Sequence, residues 1–158
     1  MNADLKSSVE VQVASSLNGI PKESEFEGWA LAAMGALDTN AQLCVRIVDE
    51  AEGTALNETY RGRSGPTNVL SFSFDATQCT EPPLLGDVII CAPIVESEAQ
   101  TQSKSTTAHY AHMVVHGTLH LLGHDHETES EAALMEALEC DIITDLGFAD
   151  PYATSAAQ

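Results

Sequence analysis

Positive charge is scarce in this chain: 6 Lys+Arg stand against 24 Asp+Glu in 158 residues, a formal net charge of −18. No Lys or Arg follows Lys104, and two of the three arginines, Arg61 and Arg63, are nearly adjacent. Such a chain repels bulk nucleic acid and anionic membranes, whose attraction to proteins rests on Lys and Arg. Taken alone, the acidity serves solubility. If a polyanion is handled at all, it must be met near Arg61 and Arg63 or by a metal ion. No apolar run reaches the roughly 18 residues that a membrane span needs. Residues Met1 to Lys6 lack the charged-then-apolar pattern of a secretory leader. The four cysteines (Cys44, Cys79, Cys91, Cys140) form no CxxC pair and read as reduced thiols. Membrane, secreted and disulfide-scaffold classes are thus disfavoured, and a cytoplasmic location is expected.

Hydrophobic residues make up 44% of the chain, enough for a core, and the length fits one domain over residues 1–158, frayed at 1–8 and 153–158. Val9, Val11 and Val13 alternate with polar residues as a strand does. Pro21 opens a helix with Glu23, Glu25 and Glu27 in its first turns and Phe26, Trp29, Ala30, Ala33, Met34 and Leu37 at helical spacing. Strand Gln42 to Val48, helix Asp49 to Arg61 and a loop at 62–66 follow, then strand Asn68 to Phe74. Leu84 to Ala92 carries the continuous apolar run of a buried strand. Pro93 ends it and starts a helix from Ile94 to about Gln102. Thr107 to Gly123 is read as the longest helix. Ser130 to Gly147 is the last, with Ala133, Leu134, Ala137, Leu138, Ile142 and Leu146 inward and Glu131, Glu136, Glu139 and Asp145 in solvent. The order βαβαββααα predicts an α+β domain, a mixed sheet of about four strands covered by helices.

All six histidines lie between His109 and His126. His116 and His120, at i and i+4, project from one helix face and can meet one metal at about 2.0–2.1 Å. Gly123 can end the helix with positive φ, and the turn brings His126 round as a third ligand. Three protein ligands and an open fourth position make the catalytic zinc pattern. His112 extends the stripe, but His112 to His120 spans about 12 Å, too far for one ion to be shared by all three. His112 is therefore assigned to support or packing, and His109 and His124 to the surface or the substrate side. The spacing HxxxHxxGxxH is that of metzincin proteases, which need Glu directly after the first His as general base. Gly117 stands there, so the peptide-bond chemistry loses its base. Metal-assisted hydrolysis survives, since zinc still lowers the pKa of a bound water towards about 7.

The run His116-Gly-Thr-Leu-His120-Leu-Leu-Gly123-His-Asp125-His126 resembles the signature of the bacterial YbeY endoribonucleases, which usually carry Tyr at the place of His124. Tyr60-Arg61 with Pro66-Thr67-Asn68-Val69-Leu70-Ser71-Phe72, and Leu85-Gly86-Asp87-Val88-Ile89-Ile90, resemble two further motifs of that family. The resemblance implies a zincin-like His₃ site and a single-strand-specific, zinc-dependent endoribonuclease, one Zn2+ per chain. It implies action in 16S rRNA 3′-end maturation and 70S ribosome quality control. It makes His116, His120 and His126 ligands and catalytic groups, and Arg61 the basic residue of the cleft. Arg suits phosphate because its planar fork donates two hydrogen bonds at once. Without the resemblance, a surface ion pair with Glu58 would account for Arg61 as well. Arg63 and Asn68 are expected beside it as substrate-binding residues, whereas Ser71 is assigned a structural role. Expected partners are ribosomal RNA and the small ribosomal subunit or its proteins, with weak binding to free RNA and no membrane. A non-catalytic, zinc-stabilised ribosome-assembly factor is the second function class.

Overall fold

A computed structural model describes residues 7–62, 65, 67–73 and 83–152. Four strands and five helices follow one another in the expected order: β1 (Ser8–Ala14), α1 (Glu23–Ala36), β2 (Gln42–Val48), α2 (Glu50–Arg61), β3 (Val69–Ser73), β4 (Leu84–Cys91), α3 (Ala92–Thr101), α4 (Thr106–Leu121) and α5 (Glu129–Asp145). The strands form one mixed sheet in the order β1-β2-β4-β3. β1 and β4 flank β2 in parallel, and β3 pairs with β4 antiparallel at the edge. An α+β domain with a four-stranded mixed sheet is therefore what the chain forms.

Alternation of side chains on the strands decides what lies on each sheet face. Leu43, Val45, Ile47, Val88 and Ile90 point to the larger core, where they meet Phe26, Ala30, Ala33 and Met34 of α1 and Tyr110, Val114 and Leu119 of α4. Val48, Leu70, Ile89 and Cys91 form a smaller cluster on the opposite face, with Leu56 of α2 packed on it. Phe26 makes edge-on ring contacts with Trp29 at 5.4 Å and Tyr110 at 5.7 Å, joining α1 to α4. Burying such side chains fully is worth about 1.5–3 kcal/mol each, so α4, at the centre of this core, is held from several sides.

Several expectations needed adjustment. α3 begins at Ala92 rather than Ile94, with Pro93 inside its first turn, where a missing N–H costs nothing. α5 has 17 residues and α4 has 16, so α4 is not the longest helix. The inward stripe of α5 is Met135, Glu139, Ile142 and Ile143, while Leu134 is 55% exposed. Glu139, assigned to solvent, is completely buried. Phe74 and the 79–82 loop lie outside the described residues, as do residues 1–6 and 153–158 of the expected frayed ends. Of the remaining two, Ser8 pairs with Gln42, and the Ser7 hydroxyl donates to Thr39 O and accepts from Ala41 N. Among the described residues, no helix is long and apolar enough to cross a membrane. Cys44, Cys91 and Cys140 are free thiols. Burial, then the charges of Asp87 and Glu10, push the Cys44 thiol up to about 11, which keeps it unreactive.

Candidate metal centre

Ser105 caps α4, its hydroxyl accepting from the Ala108 N–H at 3.2 Å. The helix then runs through the core, burying Tyr110, Ala111, Met113, Val114, Val115, Leu119 and Leu121. Histidines at 109, 112, 116 and 120 recur at steps of three and four, so they form one stripe along it. Burial falls along that stripe: His109 and His112 are buried, whereas His116 and His120 are half-buried. His109, expected at the surface or on the substrate side, is not at the surface. Its Nε2 is 2.9 Å from Glu98 Oε1, and burial lowers its pKa despite that carboxylate.

α4 ends as a Schellman turn. Gly123 has φ +99°, its N–H donates to His120 O, and the His124 N–H donates to Leu119 O, each at 3.0 Å. Reversal of the chain delivers His126 to the open side of His116 and His120. Asp125 Oδ1 accepts from the His126 N–H at 2.8 Å and fixes the backbone there. His124, expected at the surface or on the substrate side, serves this turn through its backbone.

His116, His120 and His126 each offer a nitrogen within 4.8 Å of the others. The Nε2 atoms of His116 and His120 are 3.2 Å apart. Two nitrogens bound tetrahedrally at 2.0–2.1 Å would be separated by about 3.3 Å, so the pair already has the spacing of zinc ligands. Burial lowers the pKa of His120, and the neighbouring His116 and His126 lower it further. The neutral imidazole is thereby favoured, which is the form that binds metal. The three residues thus fit a metal ion.

Behind His116 stands Glu139 of α5, which sequence reading missed. Its Oε2 is 2.5 Å from His116 Nδ1, its Oε1 is 3.1 Å from His112 Nε2, and the Tyr152 hydroxyl donates to Oε1. Burial alone would raise its pKa, but the hydrogen bonds from His112, His116 and Tyr152 outweigh burial and hold it at about 2. His112, His116 and Glu139 also bring ligand-capable atoms within 4.8 Å. Hydrogen bonds join those three, so we read them as the support of the site and not as a second ion site. The assignment of His112 to support agrees with this.

Gly117 rests on the sheet. A Cβ there would lie 2.6 Å from Val88 Cγ1 and 3.2 Å from Val69 Cγ2. Ser71 Oγ donates to Gly117 O at 3.0 Å, the structural role expected of it. The position a protease gives to its glutamate base therefore faces the packed sheet and not the histidines.

The remaining sequence-derived residues are placed less directly. Arg61 closes α2, whose C-cap is Gly62, but its side chain and all of Arg63 lie outside the described residues. Asn57, buried in α2, donates to Gly65 O at 2.7 Å and ties that residue to the helix. The Asn68 amide donates to Glu98, at 3.0 Å to Oε1 and 3.3 Å to Oε2. That carboxylate is shared with His109, two helical turns before His116. A cavity of about 390 Å³ lies towards that same end of α4, lined in part by Lys104, His109, His112 and Phe148. The three candidate ligands are not part of it; His116 and His126 instead border a space of about 40 Å³ with Glu139 and Tyr152.

Residues 13–147 match the family described as Endoribonuclease YbeY. The solution structure of TM1509 from Thermotoga maritima shares 21% identity and a TM-score of 0.56, over 90% of this chain and 99% of that one. At that identity the likeness is one of fold.

Proposed function

Because the chain belongs to the YbeY endoribonuclease family, we propose that it is a zinc-dependent, single-strand-specific endoribonuclease acting in 16S rRNA 3′-end maturation and 70S ribosome quality control. The observation that carries the metal-dependent part of this reading is the convergence of His116, His120 and His126, with two Nε2 atoms 3.2 Å apart. Bound there, zinc would supply Lewis acidity, offsetting charge on a phosphodiester and lowering the pKa of a water.

In this reading the chain's own residues do the rest. Glu139 holds His116 with Nε2 turned towards His120. Arg61 and Arg63 supply the positive charge that a phosphate needs and that the rest of this acidic chain withholds. Asn68, with its amide nitrogen committed to Glu98, offers its carbonyl oxygen to a ribose or base donor. Gly117 leaves no protease base beside the histidines. With a net charge of −18, the enzyme binds free RNA weakly and gains selectivity by docking on the small ribosomal subunit or one of its proteins in the cytoplasm.

The test is cleavage of a ribosomal-RNA 3′-end fragment, alone and within small subunits, by holo protein, chelated protein and His120→Ala. Metal-dependent cleavage that His120→Ala abolishes while keeping its fold is expected. RNA left intact in both settings by a protein that holds zinc would overturn catalysis and leave an assembly factor.

A further inference from the structure

The metal-facing histidines are supported by a carboxylate that gains nothing from burial on its own account. Glu139 is fully buried on a helix face otherwise made of Met135, Ile142 and Ile143, where leucine would pack at no desolvation cost. The groups that the structure sets against its oxygens are two imidazoles and a phenol, none of them a permanent cation. A buried carboxylate in such surroundings is stable only when its oxygens are satisfied by donors. Here three donors converge on it: His112 Nε2, His116 Nδ1 and the Tyr152 hydroxyl.

We propose that Glu139 and Tyr152 are positioning residues of the metal centre, with the turn at 151–152 latching the carboxylate that fixes the tautomer and orientation of His116. The reasoning rests on the metal reading above and extends it to residues outside the ligand set. An ionised carboxylate only accepts hydrogen bonds. Facing His116 Nδ1 at 2.5 Å, it requires the proton on Nδ1 and leaves the lone pair on Nε2, the atom that faces His120. His112 Nε2 donates to the same carboxylate, and its Nδ1 has no partner among the described residues, so it steadies Glu139 and not an ion.

Tyr152 completes the arrangement from the far end of the chain. Its ring packs edge-on against His112 at 5.3 Å, and its hydroxyl reaches Glu139 Oε1. The turn that carries it is pinned twice: Lys104 Nζ donates to Pro151 O at 3.2 Å, and the Tyr152 N–H donates to Asp150 Oδ1 at 2.8 Å. Tyr152 and Glu139 also border the small space that touches both His116 and His126, so movement of the turn is felt at two ligands.

Glu139→Gln keeps the shape but allows an amide N–H to face His116 Nδ1, which permits the tautomer with Nε2 protonated. Tyr152→Phe removes one donor and leaves the ring contact. Zinc affinity would be measured by competition with a chromophoric chelator, the visible spectrum recorded with cobalt(II) in place of zinc, and thermal stability followed for the metal-free proteins. Glu139→Gln is expected to bind zinc about 10- to 100-fold more weakly with an altered cobalt spectrum, and Tyr152→Phe several-fold more weakly. Unchanged affinity and spectrum in Glu139→Gln, even with lowered metal-free stability, would overturn the proposal, because a merely structural carboxylate behaves that way. Should Glu139→Gln not fold, unchanged affinity in Tyr152→Phe would overturn it. A wild-type protein that binds no zinc would instead sink the metal reading itself.

Discussion

Gly117 and His109 carry no metal, yet each shows how single residues are fixed by the surroundings of α4. Alanine at 117 would gain about 1 kcal/mol of helix propensity in an isolated helix. Here its Cβ would sit 2.6 Å from Val88 Cγ1, on a buried β-branched side chain that cannot swing away. Overpacking of this kind costs about 1–3 kcal/mol, so Gly117→Ala is expected to lower stability in chemical denaturation, and a gain would show that the helix can lift. His109 is depressed by burial in the first place; Glu98 opposes that effect, and Lys104 and His112 add to it. Its folded pKa lies below the unfolded value of about 6.5, so the unfolded chain takes up the proton first. The stability it contributes is present above pH 6.5 and is lost as pH falls through the folded value. Denaturation between pH 7.5 and 5.5 should show a decline that His109→Gln flattens. Of the residues assigned from sequence, the three candidate ligands come within reach of one another, while His109 proved buried, with Glu98 there to receive it. Nothing local to position 109 announces a partner on another helix.

Between residues and fold stand the ends of the helices, where local chemistry is easiest to read. Thr128 and Glu131 form a reciprocal box at the start of α5: the Thr128 hydroxyl accepts from Glu131 N at 3.1 Å, and Glu131 Oε1 accepts from Thr128 N at 3.2 Å. The turn after α4 is equally local, set by Gly123 with φ +99°. Gly123→Ala forces a side chain into a left-handed conformation at roughly 1–2 kcal/mol. Because His126 is delivered by that turn, the variant should lose zinc affinity more than Thr128→Ala, which costs about 1 kcal/mol of helix stability but leaves the turn alone. Chelator competition on both variants checks the order, and equal losses would mean the turn is not what places His126. The inward face of α5 was the element-scale error. Of the expected stripe, Leu138, Ile142 and Leu146 do face the core, but Ala133, Leu134 and Ala137 are exposed, and Met135, Glu139 and Ile143 are buried in their place. Apolar count could not find that face, since its central residue is an acid satisfied by histidines of α4.

For the whole molecule, charge is the deciding quantity. With −18 overall and the mid-chain arginines at 61 and 63, contact with free RNA should involve about two phosphates. At roughly −0.7 per phosphate for single strands, log K against log salt is expected to fall with a slope of about −1.4, measured by fluorescence anisotropy. A slope several times steeper, or tight binding that persists in high salt, would contradict a small site on an acidic body. Element order, strand and helix types and the triple His116, His120 and His126 were determined by the sequence itself. Periodicity, caps and ligand spacing are local, and neighbours within a few residues suffice to specify them. What only the tertiary structure decided is which residues from distant parts of the chain meet. It set β4 between β2 and β3, left Gly117 against Val88, and brought Glu139 and Tyr152 up behind His116. A buried acid and a solvated acid read alike along a helix; the donors that make burial tolerable come from other elements, and only packing supplies them.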